Sequence, residues 1–73
     1  MTEIRFHRDV YRGAAVDEAV KVYERHARFT LVEEATHWVV RIEARTPARE
    51  RQLGGELGNY ALGLTIKHGS ALT

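Results

Sequence analysis

The sequence predicts a single α+β domain, residues 1–73, with the element order β-α-β-β-α. Three segments alternate apolar and polar residues, which is the two-residue period of half-buried strands. Two longer segments repeat apolar residues every three to four positions, as amphipathic helices do. The connection between the second and third strand segments is short, so these two strands are expected to form an antiparallel hairpin. A chain of this length makes one domain.

The first strand is predicted over residues 4–7, with Val10 and Tyr11 extending it or packing just beyond it. Arg12 and Gly13 break the alternation. The first helix follows over residues 14–27. Its apolar stripe contains Val16, Ala19, Val20, Tyr23 and Ala27. The helix dipole favours acidic residues in the first turn and basic residues in the last, and we place Asp17 and Glu18 in the first turn and Arg25 and His26 in the last.

The hairpin strands are predicted over residues 29–33 and 37–44, and the second of them has the clearer pattern. One of its faces carries Trp38, Val40, Ile42 and Ala44. The opposite face carries His37, Val39, Arg41 and Glu43. Because side chains alternate along a strand, the first set is expected to face the core and the second to face outward.

The second helix is predicted to begin at Thr46 and Pro47. Threonine caps helix N-termini, and proline suits the first helical position because its missing N–H would be unpaired there. Leu53, Leu57, Tyr60, Ala61 and Leu64 follow at helical spacing. The helix is expected to end near His68 and Gly69, since glycine readily adopts the left-handed conformation that ends helices.

A right-handed crossover places the third strand between the first and second, with both helices on one face of a three-stranded antiparallel sheet. This arrangement corresponds to the first five elements of a ferredoxin-like fold without its last strand. In the complete fold the last strand pairs with the first. The first strand is therefore predicted to have an open edge, and open strand edges recruit partners.

Composition excludes several classes of protein. The chain contains no cysteine, which removes disulfides, thiolate metal sites and cysteine nucleophiles. It has 11 basic and 10 acidic residues, interleaved along the sequence, so it lacks the basic excess typical of nucleic-acid binders. No segment approaches the apolar length of a membrane span, and the N-terminal residues do not resemble a signal peptide. We therefore expect a cytoplasmic protein without membrane partners.

No catalytic or metal-binding pattern is evident, and no cofactor is predicted. The histidines are His7, His26, His37 and His68, and none has a metal-ligand spacing from another histidine or a carboxylate. Strand phasing puts His7 and His37 on the outward sheet face, where they could meet. The adjacent acids Glu33 and Glu34 are expected in a solvated turn, where paired carboxylates have no reason to differ in acidity.

The second helix contains an unusual number of glycines, namely Gly54, Gly55, Gly58 and Gly63. Each costs about 1 kcal/mol relative to alanine inside a helix. A close neighbouring backbone would compensate. Gly54 and Gly58 lie on one side of the helix, and either tight packing inside the domain or a helix contact between two copies explains them.

The outward sheet face is predicted to include Val32, Val39 and Arg41. A solvated antiparallel face usually carries polar residues, and hairpin pairing brings the two valines together. A valine pair bordered by arginine and histidine would suit the centre of an interface. Scattered exposed valines are also normal on protein surfaces, so this face alone does not decide the matter.

The run from Leu53 to Leu62, Leu-Gly-Gly-Glu-Leu-Gly-Asn-Tyr-Ala-Leu, resembles the L-x-G-E-[FL]-x-N-x-x-L pattern of the HxsD family. Upstream, Val10-Tyr11, residues 19–23 and residues 29–31 resemble the family's strand, helix and hairpin. Members belong to the His-Xaa-Ser system, together with a repeat-containing peptide and two radical S-adenosylmethionine proteins. The resemblance implies a non-catalytic accessory role in peptide modification. It also singles out Glu56 and Asn59, which would either contact a partner or bond to groups near the glycines.

These observations predict a homodimeric interaction module that presents a peptide to a modifying enzyme. The same element order also resembles the small dimerising subunit of the KEOPS tRNA-modification complex, which makes a nucleic-acid-associated module the alternative. In that alternative, a rim of arginines would contact phosphates. Its members would be Arg5, Arg41, Arg45, Arg49 and Arg51.

Overall fold

The computed structural model describes residues 1–67 and confirms the predicted element order. Strand β1 is Thr2–His7, helix α1 is Gly13–Tyr23, strands β2 and β3 are Arg28–Glu33 and His37–Glu43, and helix α2 is Pro47–Lys67. The three strands form one antiparallel sheet in the order β1-β3-β2, as the crossover rule predicts. Both helices contact each other and the sheet. The predicted helix end at His68 and Gly69 lies outside the described residues.

The core lies between the sheet and the two helices. Val40 and Ile42 of β3 contribute fully buried side chains, and Leu53 and Leu57 of α2 pack against them. Helix α1 adds a buried stripe that follows the predicted spacing. Its members are Ala15, Val16, Ala19 and Val20. The predicted inward face of β3 is therefore confirmed, since Trp38 and Ala44 also contact this core.

Helix α1 is shorter than predicted, because it ends at Tyr23 and not at Ala27. Arg25 and His26 lie in the turn that follows, where the His26 N–H donates to the Tyr23 carbonyl oxygen at 2.9 Å. Asp17 and Glu18 also lie beyond the first helical turn, so the residues predicted to supply charge at the two helix ends were wrong, and Lys21 is the basic residue of the last turn. The chain needs this turn because β2 begins at Arg28. Ala27 nevertheless packs on the core, which explains why the spacing imitated a longer helix.

The start of α2 agrees with the prediction. The Arg49 N–H donates to Thr46 Oγ1 at 3.1 Å, so threonine acts as the predicted N-cap. Helix α2 runs in the same direction as β1, because Glu50 hydrogen-bonds to Thr2 and Gly54 lies over Ile4. This alignment fixes which flank of α2 lies beside the outer edge of β1.

Candidate interaction surfaces

The outward face of the sheet is a network of ion pairs. Arg5 contacts Glu34 at 2.6 Å and Glu3 at 3.4 Å, and Arg41 contacts Glu3 at 3.3 Å. The hydrogen bond and the charge of Glu34 raise the pKa of Arg5 further above its already high value. These arginines are therefore paired with carboxylates of β1 and of the turn after β2. This pairing leaves less free positive charge on the sheet for the predicted phosphate-binding rim.

The valine pair predicted on this face is present, but it does not form an exposed apolar patch. Val32 and Val39 are direct cross-strand partners in the β2–β3 hairpin. Val39 is 0% exposed, and Val32 is half-buried. Val39 lies on the central strand between Arg5 and Val32, so neighbours on both sides cover it. The expectation that Val39 is available on the surface was therefore wrong, whereas Arg41 is exposed as predicted.

The sheet does bring His7 and His37 together, as the strand phasing indicated. They are cross-strand partners, and their ring centroids are 4.9 Å apart. The Nδ1 atom of His7 accepts the Asp9 N–H at 3.1 Å, and Nδ1 of His37 lies 2.7 Å from Thr36 Oγ1. Both rings thus use one nitrogen for local hydrogen bonds. Residues 1–67 contain no group of three or more histidine, cysteine or acidic residues that could hold a metal ion.

Gly54 packs on the sheet and accounts for one predicted close approach. A β-carbon at this position would lie 2.8 Å from Ile4 Cδ1 and 3.6 Å from Ile42 Cδ1. Helix α2 therefore sits above β1 and β3 at a distance that a side chain at position 54 would disturb. Of the two explanations for the glycines, packing inside the domain applies to Gly54.

The other α2 glycines have a different environment. A β-carbon added at Gly55, Gly58 or Gly63 would meet nothing within 4 Å. Gly55, Gly58 and Leu62 are spaced three and four residues apart, so they share one flank of the helix. Leu62 is 41% exposed, and Ile66, one turn further along, is 71% exposed. We call these four residues the open flank of α2, and within residues 1–67 nothing packs on its glycines.

The open flank lies on the β1 side of the molecule. Tyr60, on the opposite flank of α2, contacts Tyr23 of α1 with ring centroids 5.9 Å apart. The open flank therefore points away from α1. Since α2 lies over β1 and β3, this direction is toward the outer edge of β1.

Glu56 and Asn59, the polar residues that the family resemblance singled out, are exposed on α2. Neither side chain makes a hydrogen bond or an ion pair with another described residue, so the predicted side-chain bonds to groups near the glycines are not formed within residues 1–67. The carboxylate of Glu56 and the amide of Asn59 are therefore exposed on the same helix as the open flank.

The outer edge of β1 exposes unpaired backbone groups at Glu3 and Arg5. The Arg8 N–H donates to the Thr36 carbonyl oxygen at 2.9 Å, in the same register as the other β1–β3 pairs. Hydrogen-bonded and non-hydrogen-bonded pairs alternate in antiparallel ladders, so the even-numbered residues of β1 bond to β3. The N–H and C=O groups of Glu3, Arg5 and His7 point away from β3. His7 alone uses its carbonyl oxygen, which accepts the Tyr11 N–H at 2.9 Å.

Strand β2 forms the opposite edge of the sheet and exposes apolar side chains there. The same alternation, fixed by the Glu34 N–H to His37 carbonyl bond of 2.9 Å, directs the backbone groups of Phe29, Leu31 and Glu33 outward. Leu31 is 37% exposed on the helix-facing side of the sheet. This edge therefore combines free backbone groups with apolar surface.

Glu50 is a buried carboxylate that the sequence analysis did not identify. It is 5% exposed and accepts hydrogen bonds from the Ala44 N–H and from Thr2 Oγ1, both at 3.0 Å. The bond from Ala44 lowers the pKa of Glu50, and Thr2 and the terminal amine of Met1, 3.3 Å away, lower it further against the effect of burial. A glutamate in the first turn of a helix was the available signal, but that position usually faces solvent. Its role is to join α2 to β1 and to the end of β3.

Comparison with known proteins gives no family assignment. No family model matches the chain, and neither a curated protein nor a solved structure matches it. Within residues 1–67, no helix is both long and apolar enough to cross a bilayer. The interpretation of this domain therefore depends on its own surfaces.

Proposed function

We propose that this domain is a non-catalytic, homodimeric interaction module that holds an extended peptide for another protein to modify. One observation carries the proposal. The small sheet has two outer strands with unpaired backbone groups, and each has exposed apolar side chains close by, on the open flank of α2 for β1 and at Leu31 for β2. Such edges bind extended chains by β-augmentation, in which backbone hydrogen bonds give affinity and alternate side chains give specificity.

The two edges suit different partners. The β1 edge offers backbone groups at Glu3 and Arg5 and lies beside the open flank of α2, which suits a helix-containing partner such as a second copy. The β2 edge exposes the apolar side chain of Leu31, which suits the alternate apolar side chains of a peptide. A domain with one edge for each role would act as a scaffold without chemistry of its own.

The resemblance to the HxsD family supports a peptide as the ligand and a radical S-adenosylmethionine enzyme as the modifying partner. Glu56 and Asn59, exposed on α2, are available for the contact with that enzyme. The absence of cysteine from the sequence is consistent with a cytoplasmic location. We propose this location together with the function.

Size-exclusion chromatography with light scattering tests the homodimer, and a monomer at high protein concentration would contradict it.

Fluorescence anisotropy with a synthetic peptide of His-Xaa-Ser repeats, in which Xaa is valine, tests peptide binding. Leu31→Glu is expected to weaken that binding at least ten-fold because it places a charge at the apolar edge. Val10→Glu is the matched control, since Val10 is 38% exposed, follows β1 at the opposite side of the sheet and lies outside the open flank, so peptide affinity should stay unchanged.

A further inference from the structure

We infer that the second copy binds at the β1 edge, and that the two β1 strands pair antiparallel about a two-fold axis through Ile4. The inference rests on the homodimer proposed above and adds its surface and its register. The result would be a continuous six-stranded sheet with both α2 helices side by side on one face. Two-fold dimers use the same surface on both subunits, so that surface must be complementary to itself.

Two observations select this register. Pairing about Ile4 places Glu3 opposite the partner's Arg5 and Arg5 opposite the partner's Glu3. The opposite charges then meet on the outward face, where Arg5 and Glu3 already contact each other within one copy at 3.4 Å. The two neighbouring registers, centred on Glu3 or on Arg5, would place two Glu3 or two Arg5 side chains directly opposite each other, and like charges in that position are destabilising.

The unpaired backbone groups of β1 favour the same register as the charges do. Pairing about Ile4 uses the outward N–H and C=O groups of Glu3 and Arg5, and these are the residues whose outward groups remain unpaired. The register centred on Arg5 would instead pair Glu3 with the partner's His7. The His7 carbonyl oxygen already accepts the Val10 and Tyr11 N–H groups, at 3.1 and 2.9 Å. The turn after β1 therefore limits the free edge to the two residues that the first register needs.

The same arrangement gives the open flank of α2 a neighbour. Helix α2 lies above both β1 and β3 at Gly54, where an added β-carbon would lie 2.8 Å from Ile4 Cδ1 and 3.6 Å from Ile42 Cδ1. Strands are about 4.8 Å apart, so two such helices on either side of the β1–β1 junction would be about 10 Å apart. Packed helices lie about 8 to 10 Å apart. Gly55 and Gly58, which face open space in one copy, would allow this close approach.

Two single-cysteine variants test the register, since the chain has no other cysteine. Pairing about Ile4 makes the two Ile4 residues a non-hydrogen-bonded pair, whose α-carbons are about 4.5 Å apart and within disulfide range. Ile4→Cys is therefore expected to form a covalent dimer under mild oxidation, and Arg5→Cys is not. A covalent dimer of Arg5→Cys alone would overturn the register proposed here.

Proline variants test the edge without a cross-link. Glu3→Pro removes an outward N–H from the β1 edge and leaves the bonds to β3 in place, so the dimer dissociation constant should rise at least ten-fold. Glu33→Pro is the matched control, because it removes an outward N–H from the β2 edge, and it should leave the dimer intact. Circular dichroism establishes that both variants are folded.

The outcomes separate this inference from the proposed function. A wild-type monomer would overturn both. A wild-type dimer that survives Glu3→Pro and gives no Ile4→Cys cross-link would overturn only the β1 interface. A dimer lost in Glu33→Pro and kept in Glu3→Pro would place the interface at β2 and overturn the inference in the same way.

Discussion

The Cδ1 atom of Ile4 lies 2.8 Å from the position that a β-carbon at Gly54 would occupy. This contact sets the distance between α2 and the sheet. It also distinguishes Gly54 from Gly58, one turn further along the helix, where an added β-carbon would meet nothing within 4 Å. Although the two glycines lie one turn apart, Gly54 packs closely on the sheet and Gly58 faces open space.

Alanine at the two positions should therefore have different effects on stability. Gly58→Ala is expected to raise the free energy of unfolding by up to about 1 kcal/mol, because alanine favours the helix and no atom obstructs it. Gly54→Ala should give less than that gain or a net loss, since Ile4 must shift. Chemical denaturation at low protein concentration measures both. Equal stabilisation by the two substitutions would contradict the close contact at Gly54.

Substitution by aspartate should destabilise the domain to different extents at the two valines of the outward face. Val39→Asp is expected to lower the free energy of unfolding by more than about 3 kcal/mol, because it buries a carboxylate at a fully buried position. Val32→Asp, at the half-buried partner position, should cost about 1 kcal/mol. Thermal unfolding followed by circular dichroism compares them. If Val39→Asp proved as mild as Val32→Asp, the burial of Val39 would be wrong.

Glu50 should make stability depend on pH in the acid range. Its folded pKa lies below its ordinary value, so its contribution is fully present above the ordinary glutamate pKa. That contribution is lost as the pH falls through the lowered folded pKa. Glu50→Gln is expected to lower stability at neutral pH and to reduce the loss on acidification. Glu56→Gln, at an exposed position of the same helix, is the control and should change neither property.

The guanidinium of Arg8 lies 4.2 Å from the centroid of the Trp38 ring and donates to the Glu34 carbonyl oxygen at 2.8 Å. It also contacts the Glu33 carboxylate at 3.2 Å. Arg8→Ala is expected to lower the free energy of unfolding by about 1 to 2 kcal/mol through loss of the ring contact and the charged hydrogen bond. Trp38 is the only tryptophan in the chain, so its fluorescence reports the change directly. An unchanged emission spectrum would contradict this contact.

Thr65 is 2% exposed, and its hydroxyl has no hydrogen-bond partner among the described residues. Thr65→Val removes this buried polar group and keeps the shape of the side chain. It should therefore raise the free energy of unfolding by about 1 kcal/mol. Thr65→Ser keeps the hydroxyl and should not stabilise the domain. Denaturation curves for the two variants decide whether the hydroxyl is unsatisfied.

The periodic segments made the fold predictable. Alternation in β3 identified its buried face correctly, and Thr46 with Pro47 located the start of α2, because capping depends on a few neighbouring residues. The end of α1 was not predictable in the same way. Tyr23 and Ala27 both contact the core at helical spacing, and only the position of β2 shows that the chain turns between them.

The candidate surfaces were predictable only in part. Strand order follows from chirality and connection length, so the open edge of β1 could be predicted. The burial of Val39 could not, because it depends on the side chains that cover a central strand from both neighbours. The carboxylate of Glu50 was equally hidden, since its partners Thr2 and Ala44 come from elements that meet only in the folded domain.

The sequence by itself determined the element order, the strand order and the side of the sheet that carries the core, because local periodicity and chain chirality control these features. The tertiary structure alone decided that Gly54 packs on the sheet while Gly55 and Gly58 face open space. Rules that use only the neighbouring residues in the sequence do not distinguish one glycine of a helix from another. Their difference arises from the distance between α2 and the sheet and from which flank of the helix lies beside the edge of β1.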